Sequence, residues 1–431
     1  MANSARADPG AISRRAFLGG AAWAAGAVAS PSVRAQARPR LVIVGGGAGG
    51  ASLARAVVSD SAGAIAVTLV EPNARYFACF QSNYTLGGLS DFDSLLFSYD
   101  ALARVGVEVV PAMASAIDRD RREVRLDDGR RLRYDRLALS PGIDLKYDSV
   151  PGWSREGADA MPHAWAGERQ FQILKAQFDA VPDGGLIVII APPNPARCPP
   201  APYERASMMA HALKSSGRGR TKIIILDPKP KFPKQGLFQE GWEVRYPGMI
   251  EWMAPDISDG IQSVDPKTGT VVTGFETYAR ADLVNVIPAQ WAGTIARAAG
   301  LADAVGWCPV EPRTFASRMD RNLFVIGDAA FAGDMPKSAF AAHNQAQAVA
   351  AALRTEWLGR DDRPSGYANV CWSAIAGDDV VKESSRYAIS DGKIRETEIQ
   401  LSQTGEPADL RRQQRAEQAA WYAAMTGGVF R

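Results

Sequence analysis

The four cysteines are the most reactive side chains of this 431-residue chain, and they stand at positions 79, 198, 308 and 371. No two of them form a CxxC pair, which argues against a zinc knuckle or a thioredoxin-like motif. A thiolate can act as a nucleophile, and paired cysteines can exchange electrons as a disulfide. A cysteine can equally be a small buried hydrophobic residue. We favour that interpretation for Cys308, and the spacing leaves both interpretations open for the other three.

A glycine-rich turn is the second chemical signature. Gly45, Gly47 and Gly50 follow an apolar segment at 41–44 with the GxGxxG spacing of a dinucleotide-binding site. Gly45 permits the tight turn, Gly47 lets the backbone approach a pyrophosphate, and Gly50 lets helix and strand pack closely. Glu71 ends a second apolar segment about twenty residues later, where an acid binds the ribose. The alternative is a glycine-rich turn in an ordinary α/β sheet.

The strand-and-glycine pattern recurs at residues 134–142 and 323–329. Both segments resemble those that complete the FAD domain of flavoproteins with two dinucleotide domains. In the second segment, Asp328 after Gly327 would accept hydrogen bonds from the ribityl chain. A helix predicted from about residue 338 to 353 would direct its N-terminus at the isoalloxazine and stabilise negative charge there. A simple turn at Gly327 and Asp328 is the alternative.

A second β-α-β unit lies between these segments, with predicted strands at 184–191 and 222–227 and a predicted helix at 203–214. Its turn, residues 191–200, has prolines where the first turn has glycines. Proline has no N–H to donate to a phosphate and stiffens the loop. We therefore expect that a nicotinamide nucleotide does not bind there.

Residues 1–37 have the features of an export signal. Ser13-Arg14-Arg15-Ala16-Phe17-Leu18 is a twin-arginine motif, and a mild apolar segment with small-residue cleavage options follows it. The twin-arginine route carries folded proteins, which suits a protein that takes up its cofactor before crossing. We therefore predict a periplasmic protein without a transmembrane segment. A disordered basic tail is the alternative.

The composition excludes some partners. The chain has 49 lysines and arginines against 47 aspartates and glutamates. Nucleic-acid binding needs a clustered basic excess, so we expect no nucleic-acid partner. The three histidines, at positions 163, 211 and 343, have no metal-ligand spacing, and we predict no metal site.

From about residue 39 onward the chain resembles the flavoprotein subunit of flavocytochrome c sulfide dehydrogenase and the related flavoprotein of sulfur-oxidation gene clusters. The motifs that carry the resemblance are residues 44–51, Cys79 with Ser82-Asn83, 197–206, 306–310, 325–328, 335–338 and Cys371. Together they are far more specific than the glycine turn alone.

The resemblance implies FAD bound through a thioether to Cys79, a redox-active disulfide between Cys198 and Cys371, and electron transfer to a cytochrome c subunit. It also implies that Glu204 lies near the active site. Glu204 would be a general base for hydrogen sulfide or tune a cysteine thiolate; the alternative is a helix N-terminal acid stabilised by the dipole. Trp421 would lie on the electron route, or be an ordinary core or interface residue.

Two departures qualify the resemblance. Phe340 stands where family members can have a tyrosine, so a phenol-assisted role there is in doubt. The chain has no CxxCH, so haem would be carried only by a separate partner polypeptide.

The expected function is therefore a periplasmic, FAD-dependent sulfide dehydrogenase that yields sulfur or polysulfide. The alternatives are an enzyme similar to sulfide:quinone oxidoreductase and a non-catalytic flavoprotein accessory of a sulfur-oxidation complex.

The expected fold is α/β, with two Rossmann-like dinucleotide-binding domains, as in glutathione-reductase-like flavoproteins, and a small C-terminal α+β domain. The predicted segments are a signal peptide (1–37), the first FAD part (38–151), the second Rossmann-like domain (152–290), the second FAD part (291–366) and the C-terminal domain (367–431).

Overall fold

The computed structural model describes residues 38–361 and 363–431. The predicted signal peptide, residues 1–37, lies outside the described residues, so the twin-arginine motif and the periplasmic location stay predictions.

The first core is built around a six-stranded sheet whose strands are apolar and almost wholly buried at its centre. In spatial order the strands are Ala316–Ser317, Asp320–Val325, Arg136–Leu139, Arg40–Val44, Ala66–Val70 and Glu108–Val110. All neighbouring pairs are parallel except the first. Helices Ala48–Ser61 and Ala339–Leu358 pack against each other on this core. The strand Asp320–Val325 thus joins a sheet whose other parallel strands come from the N-terminal part of the described chain.

The glycine turn between the first strand and helix Ala48–Ser61 needs glycine at two positions. Gly45 has φ +99°, in the region that favours glycine, and a Cβ there would overlap the carbonyl of Ser140. A Cβ at Gly50 would overlap the carbonyl oxygen of Gly45. The roles predicted for these two glycines, a tight turn and close packing, correspond to these contacts.

The second sheet is four-stranded and wholly parallel, in the order Ile250–Met253, Lys222–Leu226, Leu186–Ile190 and Leu283–Val286. One face packs against helices Glu168–Asp179, Ala201–Ser215 and Gln235–Arg245. The other face packs against an antiparallel sheet of Ile261–Asp265, Thr270–Thr273 and Thr277–Tyr278. Burial on both faces explains why its strands are continuous apolar runs.

The C-terminal segment is an antiparallel sheet of Tyr367–Ala376, Asp379–Ser390 and Lys393–Leu401, followed by helix Ala408–Phe430. Ile375 packs in the core of the second sheet, whereas Phe430 packs in the core of the first and stacks on Tyr76 at 5.0 Å. The segment therefore contacts both halves of the molecule.

Shorter strands, helices and 3₁₀ turns complete the fold of the described residues. The remaining strands are Arg75–Phe77 with Leu96–Ser98, Ala114–Asp118 with Glu123–Leu126 and Arg131–Arg133, Ile143–Leu145 with Gln290–Ala292, and Cys308–Pro309 with Ala330–Phe331. The remaining helices are Ser82–Leu86, Asp100–Arg104, Pro255–Ser258 and Thr294–Ala298, with 3₁₀ turns at Cys79–Gln81, Phe92–Leu95, Glu156–Asp159 and Gly327–Ala329. Among the described helices, none is both long and apolar enough to cross a bilayer.

The predicted α/β class with Rossmann-like dinucleotide-binding architecture is confirmed. The helix predicted at 338–353 continues to Leu358, where Gly359 ends it in the left-handed conformation. Residues 38–431 form one compact unit, so the boundaries near 152, 291 and 367 stay predictions.

We expect Gly50→Ala to lower the free energy of unfolding, because the new methyl group would overlap the carbonyl oxygen of Gly45. Overpacking of a dense interior costs about 1–3 kcal/mol, and we expect a loss in or above that range. Thermal unfolding measures it. Gly428→Ala is the matched control, because a Cβ there meets nothing within 4 Å. Equal melting temperatures for the two variants would contradict the prediction.

Candidate functional site

A cavity of about 550 Å³ joins the glycine turn to the loop that contains Cys198. Seven of the predicted site residues line it: Gly45, Gly47, Glu71, Cys79, Cys198, Gly327 and Asp328. The other four, Gly50, Glu204, Cys371 and Trp421, lie behind the lining residues. The structure thus gathers residues from three distant parts of the sequence around one cavity.

The nucleotide end of the cavity is preorganised around Glu71. The buried carboxylate accepts hydrogen bonds from the main-chain N–H of Gly46 at 2.7 Å and of Asn73 at 2.9 Å, and from the Asn73 amide at 2.7 Å. A Cβ at Gly47 would come only within 3.9 Å of Tyr76, so the backbone there faces open space. A glycine cradle, a fixed carboxylate and the start of helix Ala48–Ser61 together fit the pyrophosphate and ribose of FAD.

The opposite end of the cavity has a half-buried cation, Arg197, to which the sequence analysis assigned no role. Arg197 forms an ion pair with Asp328 at 3.7 Å and lies near the sulfur of Cys79. Burial raises the pKa of Asp328, and Arg197 and Lys337 oppose that rise. Lys337 donates to the carbonyls of Asp328 and Ala330, both at 2.8 Å, and burial lowers the pKa of this lysine to about 8. Two cations therefore hold the segment that would face the ribityl chain.

Cys198 and Cys371 are remote in sequence, but in the structure they are close enough for their thiols to interact electrostatically. Cys198 precedes helix Ala201–Ser215 in the left-handed conformation (φ +50°), and its N–H donates to the carbonyl of Lys337 at 2.8 Å. Burial, and then the nearby sulfur of Cys371, raise the pKa of the Cys198 thiol. Only Cys198 of the two lines the cavity. All four cysteines are free thiols in this structure, so the disulfide stays a prediction.

Glu204 connects the helix after Cys198 to the strand that contains Cys371. Its carboxylate, 6% exposed, accepts hydrogen bonds from the N–H of Ala374 at 2.9 Å and the amide of Asn83 at 2.7 Å. Burial raises the pKa of Glu204, and these hydrogen bonds oppose the rise. Glu204 also raises the pKa of Cys198, after burial and Cys371, so it lies beside the sulfur pair.

Trp421 lies one side chain away from the cavity. It stacks on Phe340 at 5.2 Å and contacts Trp372 and Phe80, each at 5.8 Å. Phe80 lines the cavity, so an aromatic path leads from there to helix Ala408–Phe430. Both predicted roles, electron transfer and packing, are compatible with this position. Cys308 is fully buried, as a small hydrophobic residue would be.

The second β-α-β unit has an acid in the position that would bind a ribose, but other side chains of the protein already bond to that acid. Asp227 follows strand Lys222–Leu226 and accepts hydrogen bonds from Tyr203 at 2.5 Å and Trp252 at 2.9 Å. Lys229 pairs with the same carboxylate at 2.6 Å and also donates to the carbonyl of Pro192. With its acid satisfied internally and its turn rich in proline, this unit is poorly suited to bind NAD(P)H.

Models of known protein families match several parts of this chain. The model for the central part of the sulfide dehydrogenase (flavocytochrome c) flavoprotein chain matches residues 171–288, and the flavocytochrome c sulphide dehydrogenase flavin-binding model matches 364–430. A model for pyridine nucleotide-disulphide oxidoreductases matches residues 39–172. The chain is therefore a flavoprotein oxidoreductase, and FAD is the flavin that its cavity fits.

Curated relatives and solved structures agree with the fold. The mitochondrial sulfide:quinone oxidoreductases of Mus musculus and Dictyostelium discoideum are each 24% identical over 330 residues, spanning 71% and 72% of this chain and 68% of theirs. The sulfide:quinone oxidoreductase structure from Aquifex aeolicus superposes with a TM-score of 0.69 at 17% identity, over 91% of this chain and 92% of that one. Putidaredoxin reductase in its covalent complex with putidaredoxin gives 0.66 at 19% identity, over 88% and 93%.

Glu204 should make the stability of the protein depend on pH. Because burial raises its folded-state pKa, the stability it contributes is complete below its unfolded pKa and is lost as pH rises through the folded value. Each unit of the rise corresponds to about 1.4 kcal/mol. We expect Glu204→Gln to flatten the decline in unfolding free energy as pH rises above the unfolded pKa of a glutamate, measured by denaturant titration.

The control for this titration is Glu243→Gln, since Glu243 is exposed on helix Gln235–Arg245. The control should keep the pH slope of the wild type. If the unfolding free energies of the wild type and Glu204→Gln changed with pH at the same rate, the buried carboxyl would not have a raised pKa.

Proposed function

We propose that this chain, which belongs to the flavoprotein family of flavocytochrome c sulfide dehydrogenase and acts on sulfur compounds, oxidises sulfide to sulfur or polysulfide. Electrons would pass through FAD to a cytochrome c subunit in the periplasm. The observation that carries the proposal is the neighbouring pair Cys198 and Cys371, with Cys198 on the wall of the flavin-sized cavity.

FAD would be held by Gly45, Gly47 and Glu71 at the nucleotide end and by Asp328 at the ribityl end. When bound, it supplies a centre that accepts two electrons and releases them singly. Cys79 lies on the cavity wall, which supports the proposed thioether at this position.

The sulfur step requires a disulfide between Cys198 and Cys371. Hydrosulfide attacks one sulfur, so that a new S–S bond forms as the cysteine–cysteine bond breaks. The products are a cysteine persulfide and a cysteine thiolate, with no net change in electron count. Glu204 takes the proton of hydrogen sulfide, and its raised pKa suits it to hold that proton nearer neutrality than an exposed glutamate does.

The closed second nucleotide site supports sulfide rather than NAD(P)H as the electron source. Asp227, the residue in the ribose position, is saturated by Tyr203, Trp252 and Lys229. A nicotinamide nucleotide would have to displace these buried contacts.

A separate cytochrome c is the proposed acceptor, because the chain has no CxxCH for a haem of its own. Trp421 and Phe340 lie on the proposed route from the cavity to the surface helix Ala408–Phe430. Quinone is the second candidate acceptor, favoured by the likeness to sulfide:quinone oxidoreductases. The segment 410–420 is rich in arginine, glutamine and glutamate, which favours a soluble partner.

Replacement of Cys198 tests the proposed function. We expect Cys198→Ser to keep its FAD and yellow colour but to lose sulfide-dependent reduction of cytochrome c by at least about a hundredfold, since no disulfide forms. The measurement is the absorbance of reduced cytochrome after sulfide addition, with a water-soluble quinone as the parallel acceptor. NADH in place of sulfide should leave the flavin oxidised.

Cys308→Ala is the matched control, because Cys308 is fully buried and does not line the cavity. It should keep the rate of the wild type. Full activity in Cys198→Ser would exclude the disulfide mechanism, and preference for quinone over cytochrome c would replace the proposed acceptor. A wild-type protein with no sulfide turnover that binds a sulfur-oxidation protein tightly would favour the accessory role.

A further inference from the structure

A buried lysine next to Cys371 has no part in the mechanism above. Lys234 immediately precedes helix Gln235–Arg245, in the left-handed conformation (φ +62°), and is only 7% exposed. Its ammonium donates to the carbonyl of Cys371 at 2.9 Å and to the hydroxyl of Ser373 at 3.0 Å. Its charge also acts on the sulfur of Cys371 and opposes the rise that burial causes in the pKa of that thiol. The side chain is thus fixed against the strand that contains this cysteine.

Two half-buried lysines near this region, Lys229 and Lys382, differ from Lys234 in their partners. Lys229 forms an ion pair with Asp227 at 2.6 Å, and Lys382 pairs with Glu417 at 2.8 Å. Within the described residues, Lys234 forms no ion pair with a carboxylate at 4.0 Å or less. Burying an unpaired ammonium is costly, so an anion close to it is strongly favoured.

The charged and titratable groups around the Cys371 sulfur are few. Glu383 faces it from the paired strand and Glu204 from helix Ala201–Ser215, whereas Lys234 is the cation. Burial raises the pKa of Cys371, Lys234 opposes the rise, and the two glutamates add to it. Lys234 also opposes the rise in the pKa of Cys198. Removing Lys234 would therefore disfavour an anionic sulfur at Cys371.

We propose that Lys234 is the countercharge for anionic sulfur at Cys371, namely the hydrosulfide that attacks there; the persulfide that forms keeps the proton and is neutral. This inference rests on the proposed function. It also assigns the direction of attack: hydrosulfide bonds to the sulfur of Cys371, the bond to Cys198 breaks, and the electron pair leaves with Cys198 as its thiolate.

The placement of the two cysteines supports this direction. Cys198 lines the cavity and Cys371 does not, so the released thiolate lies where the flavin would accept electrons. The persulfide forms on the Cys371 side, next to Lys234. Attack in the opposite direction would place the persulfide at the cavity wall and the thiolate behind it.

The pH dependence of Cys371 alkylation tests the role of Lys234. The full chain with Cys198→Ser is reduced and treated with iodoacetamide, and mass spectrometry follows the peptide that contains Cys371. We expect Lys234→Met to slow alkylation about tenfold near neutral pH, which corresponds to a rise of about one unit in the apparent pKa. Lys234→Arg should restore most of the rate, because it keeps the charge.

Lys382→Met is the matched control, since it removes a lysine from the strand position opposite Trp372, the neighbour of Cys371. It should leave the alkylation profile unchanged. Should Lys234→Met fail to fold, Lys234→Gln, which keeps an N–H donor without the charge, gives the same comparison. An unchanged profile in a folded neutral variant would overturn the proposal.

Persulfide mapping in the oxidised wild type tests the direction of attack. After brief exposure to sulfide, trapping and mass spectrometry should find the additional sulfur on Cys371, and finding it on Cys198 would reverse the assignment. The alkylation assay needs neither sulfide nor an electron acceptor. A shifted profile in a protein that does not turn over sulfide would therefore reject the proposed function while leaving the role of Lys234 intact.

Discussion

The pairing of Cys198 with Cys371 depends on the buried carboxylate of Glu204. This side chain lies in the first turn of helix Ala201–Ser215 and accepts the N–H of Ala374, three positions after Cys371. A carboxylate buried without donors would cost several kcal/mol, so the helix and the strand are held together by the need to satisfy it. Tight packing adds to this: a Cβ at Gly241 would come within 2.8 Å of Ile375 on the same strand. The C-terminal sheet is thereby fixed against the second Rossmann-like unit.

The same arrangement explains how an architecture built to bind two nucleotides retains one nucleotide site. In the first unit, glycines leave the backbone open and Glu71 is oriented by donors at its own turn. In the second, prolines occupy the turn, and Asp227 is saturated by Tyr203, Trp252 and Lys229. In the proposed function, the sulfur pair takes the place where a nicotinamide would otherwise approach the flavin.

Local sequence patterns predicted the parts of the structure that local physics determines. The strands at 41–44, 123–126 and 222–227, and the turn at Gly45–Gly50, follow from apolar runs and from backbone that only glycine permits. The contacts of Lys234 and Asp227 could not be predicted from the sequence. They join separate segments of the chain, and no periodic pattern indicates which segments pack together. Arg197 and Lys337 lay inside motifs already recognised, yet nothing in those motifs indicated that they flank Asp328. The closeness of Cys198 and Cys371 was predicted from the family resemblance alone, and its physical explanation is tertiary packing.

Electrostatic balance in this site links packing to sulfur chemistry. Burial excludes water and raises the pKa of both cysteines, so the neutral thiol is favoured over the thiolate. A disulfide is uncharged and suits such surroundings, with the negative charge of Glu204 set near the positive charge of Lys234. Attack by hydrosulfide adds one negative charge to a site of low dielectric, where each unit charge interacts more strongly than in water. A single buried cation beside Cys371 therefore favours the approach of the hydrosulfide anion to that sulfur. Packing that excludes water would by itself disfavour the anionic reactant. It also lowers the local dielectric, and this strengthens the attraction between Lys234 and that anion.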